Sequence, residues 1–224
     1  MLQALALALT LTPDASAQDM VDIGVLRNED IAVVQNLLYP KQERTEVGVH
    51  LGLMPFDAYL WTPNAQLSFN KHMQENLSFS LVAGGGYGLK TAAYQEMESP
   101  SFGAAPYAYR YLASLLAGME WNPIYAKLNL DGAHVVHFDV YLAGRAGVTL
   151  SESVIPLKQG GMSASPTLSP ALGARLWLNE DATLRVELRD DVLLQNRSVT
   201  DTWHVQQNMN VTAGMTFFSA RGSR

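Results

Sequence analysis

The histidines are the residues through which this sequence could do chemistry, because acyl transfer, proton transfer and zinc binding all use the imidazole ring. His204 follows Ser198 and Asp201 in a polar stretch. A hydrolase could use His204 as the base, Ser198 as the nucleophile and Asp201 as the acid that orients the histidine. A solvated loop histidine is the simpler interpretation. The glycine run at 84–86 lacks the Lys-Ser/Thr pair and helix that follow a phosphate-binding loop. We therefore predict no catalytic residue in either stretch.

Two further histidines, His134 and His137, precede Asp139 in a segment with strand periodicity. Such side chains could begin a metal site, but zinc needs four ligands within reach. We expect His137 and Asp139 to form a hydrogen-bonded pair on one face of the strand. His50 is expected to pack on the interior, and His72 to lie in a turn. The sequence therefore predicts no metal and no cofactor.

These histidines belong to a sequence with a repeated strand pattern. That pattern is clearest in TLRVELRDD, residues 183–191. Leu184, Val186 and Leu188 would share one face of an extended strand, and the charged residues between them would share the other. A soluble sheet would bury the aliphatic face, whereas a membrane barrel would turn it to lipid and enclose the charges. Asp190 shares the aliphatic face, which predicts either a β-bulge or a position near the outer interface.

Eight segments have this period-two alternation, separated by turns or polar loops. Most are longer than the roughly 5 to 6 residues usual in soluble sheets and are long enough to cross a bilayer at a tilt. The predicted strands are 45–54, 58–70, 77–89, 105–120, 134–150, 166–178, 182–194 and 206–218. The predicted fold class is all-β, an eight-stranded antiparallel transmembrane β-barrel with a short N-terminal periplasmic segment.

The N-terminal stretch MLQALALALTLTPDASA ends in the small-x-small pattern that signal peptidases cleave. It predicts a signal peptide over residues 1–17 and therefore export. We assign 18–44 to the N-terminal periplasmic segment, 45–218 to the transmembrane β-barrel and 219–224 to a C-terminal tail. The polar segments 90–104, 151–165 and 195–205 are expected as outward loops. The segment WNPIYAKLNLDGA, 121–133, is expected as a long inner connection.

Along these strands, charged residues fall at the alternate positions that we expect to face the barrel interior. Charges enclosed in a barrel are tolerated only when they are paired and hydrogen-bonded, so the pattern predicts an ion-pair plug. The predicted interior charge network is Arg110, Glu120, Asp139, Arg145, Arg175, Arg185, Glu187, Arg189 and Asp191. An interior filled in this way predicts a barrel that is closed to solutes.

Aromatic residues fall on the opposite, apolar parity near the strand ends. Membrane barrels carry aromatic girdles at both interfaces, whereas a soluble sandwich spreads its aromatic residues through the core. The predicted outer girdle is Tyr59, Trp61, Tyr87, Tyr107, Tyr109 and Tyr111, and the predicted inner girdle is Phe69, Trp121 and Phe217. We therefore expect the barrel to be surrounded by lipid in the cell outer membrane.

The composition excludes several other classes of protein. The chain has 224 residues, 48% of them apolar and 16% charged, which suits one ordered domain. Its net charge of −6 offers no basic footprint, so nucleic acid is not an expected partner. There is no cysteine, which excludes disulfides and thiolate metal sites.

Three stretches carry a resemblance to known proteins. They are DIGVLRNEDIAVVQNLLYPKQERTEVGVHLG (22–52), NPIYAKL (122–128) and VVHFDVYLAGRAGV (135–148). The chain resembles the small eight-stranded outer-membrane β-barrels of OmpA-like architecture, and more specifically a myxobacterial-type outer-membrane β-barrel family. The resemblance spans nearly all of the mature chain. It departs at the end, where SARGSR follows the Phe217-Phe218 pair that would otherwise terminate a barrel.

What the resemblance implies is a structural role in the cell envelope. It implies a scaffold subunit of an envelope complex, with surface and motility machines among the candidates, and periplasmic or outer-membrane proteins as partners. We expect the protein not to be an enzyme. Two alternatives come from other classes: an enzyme that modifies lipid A at the outer rim, and a narrow channel.

Overall fold

The computed structural model describes residues 38–104, 106, 108–129, 135–154, 161–197 and 202–220. The chain divides after Leu38 into two units, and all the strands belong to the unit that begins at Tyr39. The predicted signal peptide and most of the predicted periplasmic segment lie outside the described residues. Among the residues described, no helix is long and apolar enough to cross a membrane.

Nine strands and one helix make up the described part of this unit. The short helix α1 spans Ala92–Glu98. The strands are β1 (Thr45–Met54), β2 (Leu60–His72), β3 (Leu77–Gly86), β4 (Leu89–Lys90), β5 (Tyr109–Asn129), β6 (Val135–Ser153), β7 (Met162–Trp177), β8 (Ala182–Arg197) and β9 (Thr202–Phe218).

Eight of these strands close into a ring within the described residues. Each long strand pairs antiparallel with the next, and β1 pairs both with β2 and with β9. The closing seam joins Glu46–Leu53 of β1 to Val211–Phe218 of β9. The predicted eight-stranded antiparallel barrel is confirmed.

The barrel forms because polar and apolar residues alternate along the strands. In β2 every second side chain is buried, and the buried set includes Asn64, Gln66 and Ser68. The residues between them face outward, as Leu67 does at 59% exposure. Since a soluble sheet buries its apolar face, this inverted pattern is that of a membrane barrel, with a polar interior and an apolar exterior.

Prolines mark the places where the hydrogen-bond ladder is interrupted. Tyr87 donates its backbone N–H to the carbonyl of Pro63, but Pro63 has no N–H to return, and β3 ends there. The strand resumes as β4 in the same register, with Leu89 opposite Trp61. The pairing of β7 with β8 likewise skips Pro170. The β7–β8 and β8–β9 registers continue unchanged past Asp190, so the bulge considered for that residue is absent.

One bulge does change which way side chains point. Tyr111 pairs with Ser151 whereas Ala113 pairs with Leu150, so β5 contains one extra residue between them. An extra residue inverts the inside–outside parity of everything beyond it. The outer end of β5 therefore has the opposite facing from the one that its sequence pattern predicts.

At the inner end, β5 and β6 form a longer hairpin than the sequence predicts. The segment expected as a connection continues β5 to Asn129, paired with Val135, after a second irregularity between Trp121 and Ile124. The prediction of a long connection over 121–133 is wrong in that respect. Pro123 lies within this irregularity, and the strand resumes after it.

At the outer end, α1 lies in the predicted loop 90–104. The Thr91 hydroxyl accepts a hydrogen bond from the backbone N–H of Tyr94, which caps the first turn. Tyr94 is fully buried in a small apolar cluster with Leu60 and Ala108. The helix is thereby fixed to the outer ends of β2 and β5.

Candidate functional site

The barrel interior is an ordered array of paired charges, which we call the ion-pair core. Among the described residues it comprises five cations and five anions, each at most 7% exposed: Lys41, Arg145, Arg175, Arg185, Arg189, Glu46, Glu120, Asp139, Glu187 and Asp191. The formal charges cancel. Because an unpaired charge in such surroundings is very costly, this balance is what allows ten ionisable groups to be enclosed together.

The centre of the ion-pair core is a ring of two arginines and two glutamates. Arg175 Nη2 lies 2.9 Å from Glu46 Oε2 and 2.7 Å from Glu120 Oε1. Arg185 completes the ring, 2.7 Å from Glu120 Oε2 and 3.2 Å from Glu46 Oε1. Each carboxylate thus bridges both guanidinium groups. The four residues come from β1, β5, β7 and β8, so the ring ties together strands around the whole barrel.

A bidentate pair lies beside this ring. Arg145 donates to both oxygens of Glu187, at 2.8 and 2.9 Å, and the Tyr141 hydroxyl donates to Glu187 Oε2 at 3.0 Å. The guanidinium of Arg185 lies 4.3 Å from the centre of the Tyr141 ring. Farther along β8, Arg189 pairs with Asp191 at 2.9 Å. Bidentate and stacked arginines have fixed geometry, which makes this array rigid.

The inner end of the interior is closed by Lys41 and by stacked rings. Asp139 accepts from Lys41 Nζ at 2.6 Å, from Arg175 Nη1 at 2.9 Å and, through its other oxygen, from the Trp177 indole at 2.7 Å. Tyr39 stacks on Trp177, which in turn stacks on Phe218. Burial lowers the pKa of Lys41, with Arg175 acting in the same direction and Asp139 opposing both.

The structure places eight of the nine predicted interior charges in the ion-pair core. Arg110 is the exception, because it lies beyond the bulge in β5. It pairs with the partly exposed Glu152 at 3.5 Å, covers the exposed ring of Tyr87 and donates to the carbonyl of Gly88. The prediction that Arg110 faces the lumen is wrong for that reason.

The predicted girdles are placed less uniformly. Five residues of the set are more than 40% exposed on the exterior: Trp61, Phe69, Tyr87, Trp121 and Phe217. Tyr111 is instead 3% exposed and its hydroxyl bonds Ser114, while Tyr109 lines an interior cavity, both because of the bulge. Tyr59 packs against the cluster that holds α1. Tyr107 lies outside the described residues.

The histidines are positioned mainly as structural groups. His137 meets the ring of Tyr39 edge-on, and the expected pair with Asp139 is not formed because other donors occupy both carboxylate oxygens. His72 ends β2 and bonds Glu46 at 3.0 Å, so it is not a turn residue. His50 bonds Ser68. In the part of the chain described, no cluster of His, Asp and Glu could hold a metal ion.

His204 bonds the hydroxyl of Thr202 at 2.8 Å. Its predicted companions Ser198 and Asp201 lie outside the described residues, as does His134. Sequence reasoning missed two members of the ion-pair core. Glu46 carries a usable signal, since it lies on the same face of β1 as His50, but it stands next to the strand's first residue, where alternation is least evident. Lys41 precedes β1, where no periodicity could have found it.

Comparisons with known proteins agree with the fold. No family model matches the sequence, and no curated protein matches it. Neisserial surface protein A aligns over 78% of this chain and 95% of its own, at 10% identity and a TM-score of 0.50. Ail, the attachment invasion locus protein of Yersinia pestis, aligns over 80% and 99%, at 10% identity and a TM-score of 0.43. The N-terminal barrel domain of Pseudomonas aeruginosa OprF aligns over 80% and 98%, at 9% identity and a TM-score of 0.41.

The fold is therefore that of a small outer-membrane β-barrel. Its exterior is the surface that such a fold presents to lipid, with Leu51 at 69%, Leu115 at 57% and Leu168 at 61% exposure. Large apolar side chains exposed in this number would be unfavourable in water. An exterior of this kind on a fold of this kind belongs in the outer membrane.

Proposed function

We propose that this protein is a closed outer-membrane β-barrel that serves as a structural scaffold subunit of a cell-envelope complex. The observation that supports it is the ion-pair core. An eight-stranded barrel encloses a space just wide enough for side chains, and here that space holds a rigid array of charges. A barrel filled in this way would let few solutes through, so its function would depend on the surfaces at its two ends.

The inner end offers a surface for a protein partner. The β5–β6 hairpin continues past the inner-girdle residue Trp121, and it exposes Ile124, Leu128 and Val135 at 50%, 51% and 53%. Apolar side chains beyond the girdle lie where lipid no longer covers them. We propose that this hairpin binds a periplasmic protein of the same envelope complex; the sequence resemblance implies a surface or motility machine.

Conductance tests the closed interior. Reconstituted in planar bilayers, the wild-type protein is expected to give no steady large conductance. The paired change Glu120→Ala with Arg185→Ala removes two central side chains and leaves the formal charge unchanged, so it is expected to open a leak. Reproducible nanosiemens steps from the wild type would overturn the proposal in favour of a channel.

Cross-linking tests the scaffold role. A photo-crosslinking amino acid placed at Leu128 is expected to give a discrete protein adduct in whole cells. The same probe at Leu115, which is 57% exposed on the barrel exterior in β5, serves as the matched control and is expected to meet lipid only. Equal labelling at both positions, or no protein adduct at Leu128, would contradict the proposed partner.

A non-enzymatic role is part of the proposal, because the interior carboxylates and guanidinium groups are committed to one another. The lipid A of a deletion strain tests this directly. Its mass spectrum is expected to be unchanged. A missing or added acyl chain would instead favour an enzyme at the outer rim.

A further inference from the structure

A cavity of about 270 Å³ lies at the outer end of the barrel interior. Aromatic rings form part of its wall, among them Tyr109 and Tyr111, and amide and hydroxyl side chains form another part, among them Gln195, Gln206 and Ser151. Ala58, Ala108, Leu193 and Asp57 also line it. A second cavity of about 190 Å³ shares several of these lining residues, including both tyrosines. Ligand cavities of about 300 to 1,000 Å³ take drug-sized molecules, so each of these would take one small ring.

The wall of the larger cavity carries almost no charge. Among its described lining residues Asp57 is the one side chain with a formal charge. Asp57 Oδ1 already accepts the backbone N–H groups of Tyr59 and Leu60, at 2.8 and 3.2 Å. No lysine or arginine stands among the described residues of this lining to balance a phosphate, sulfate or carboxylate. The chemistry of the wall therefore favours a neutral, polar ligand.

Gln195 provides an independent sign that a ligand belongs there. The residue lines the cavity and is only 1% exposed. Its Nε2 donates to Ser151 Oγ at 2.9 Å, but its Oε1 accepts no hydrogen bond from any residue that the structure describes. An amide oxygen buried without a donor is unfavourable. A ligand hydroxyl at this point would supply the missing donor.

We propose that the outer mouth of the barrel binds a neutral saccharide of about two rings. The C–H face of a sugar ring packs on aromatic faces such as that of Phe56, which lines the cavity and is 68% exposed, and its hydroxyls both donate to and accept from amides. An aliphatic ligand would leave those amides unpaired, which is how a polar site rejects it. The site goes beyond the proposed scaffold role and does not depend on it, because it lies outward of the ion-pair core.

The test is binding of neutral disaccharides to the full chain in dodecylphosphocholine, a detergent without a sugar head group that could compete. The probes are maltose, cellobiose and chitobiose, followed by saturation-transfer difference NMR. At least one is expected to give a saturable signal. Sucrose octasulfate is the charged counterpart and is expected to bind about tenfold more weakly than the best neutral probe, because this wall offers it no cation.

Two variants locate the binding. Gln195→Ala removes the unpaired acceptor and Phe56→Ala removes a stacking face, and each is expected to weaken binding about three- to tenfold. Trp203→Ala is the control, since Trp203 is 65% exposed and is not among the lining residues, and it is expected to bind as the wild type does. Gln206→Ala replaces either variant that fails to fold, as judged by heat-modifiable gel migration.

The sugar could be carried by lipopolysaccharide or be free in the medium. Purified lipopolysaccharide added as a competitor distinguishes the two: displacement of the disaccharide indicates a membrane-borne sugar, and no displacement a free one. Either result is consistent with the site. The proposal is overturned if no neutral disaccharide gives a saturable signal, or if the signal is unchanged in both lining variants.

Discussion

Glu187 shows at the scale of one residue how the interior is held. It receives two hydrogen bonds from Arg145 and one from Tyr141, and Arg185 lies 3.7 Å from its second oxygen. Removing one partner of a buried ion pair leaves the other uncompensated, which is costlier than the pair itself is stabilising. The main contribution of such a residue is therefore to the fixed arrangement of its neighbours.

Replacing Glu187 with Ala is expected to destabilise the protein by about 3 to 5 kcal/mol, because Arg145 would be left buried without its carboxylate. An exposed carboxylate in the same sequence would contribute at most about 1 kcal/mol. The measurement is the urea unfolding midpoint of the variant and the wild type in the same lipid.

The neighbouring Val186 provides the control on the opposite face, since it is 48% exposed on the exterior. Val186→Arg is expected to cost about 2 to 4 kcal/mol if that face meets the middle of the bilayer. Should Glu187→Ala prove neutral while Val186→Arg prevents folding even without membrane, the aliphatic side chains would form a soluble core and the barrel assignment would fail.

Single residues also show how far sequence reasoning reaches. Parity alone placed Arg185, Glu187 and Arg189 on the interior, because alternation in an extended strand is fixed by geometry. It could not place Lys41, which reaches Asp139 from outside any strand, 98 positions away in sequence. It could not choose between the two interpretations of Asp190, because register is a property of the neighbouring strands.

At the scale of the elements, the periodicity predicted which strands exist but predicted only some of their ends. The start of β1 and the end of β9 coincide with the predicted barrel limits at Thr45 and Phe218. The bulge in β5 inverted Arg110, Tyr109 and Tyr111 together. A bulge needs only one extra residue and cannot be recognised from composition. Alternation along a strand therefore predicts which side chains face inward only where the hydrogen-bond ladder is uninterrupted.

Close packing between elements predicts the effect of a side chain at Gly173. A Cβ built on Gly173 in β7 would collide with the Tyr141 ring from β6. Gly173→Val should displace that ring and with it the hydrogen bond to Glu187, at a cost of about 1 to 3 kcal/mol in unfolding free energy. Tyrosine fluorescence and the urea midpoint would report the two effects.

Gly144 is the matched control for that substitution. A Cβ there would meet no heavy atom within 4 Å. Gly144→Val is therefore expected to change the unfolding free energy by no more than about 0.5 kcal/mol. Equal losses at both glycines would mean that backbone freedom, and not the Tyr141 ring, explains the need for glycine.

For the whole molecule, the inverted arrangement of polar and apolar residues fixes where the protein can be stable. The mature protein is expected to fractionate with outer membranes, because its exterior presents apolar side chains around the barrel. It should also migrate differently on gels with and without heating, since the closed ladder resists detergent until heated. Recovery in the soluble periplasmic fraction would contradict both expectations.

The seam between β1 and β9 also bears on whether the barrel wall can open sideways into the membrane. Glu46 lies on the seam strand, yet its carboxylate is bound by Arg175 of β7 and Arg185 of β8. Parting β1 from β9 would have to break these ion pairs as well as the ladder, and would leave Glu120 as the one ring carboxylate still paired with both guanidinium groups. The seam is therefore held by ion pairs across the interior as well as by its hydrogen-bond ladder, so it does not part easily toward the membrane plane.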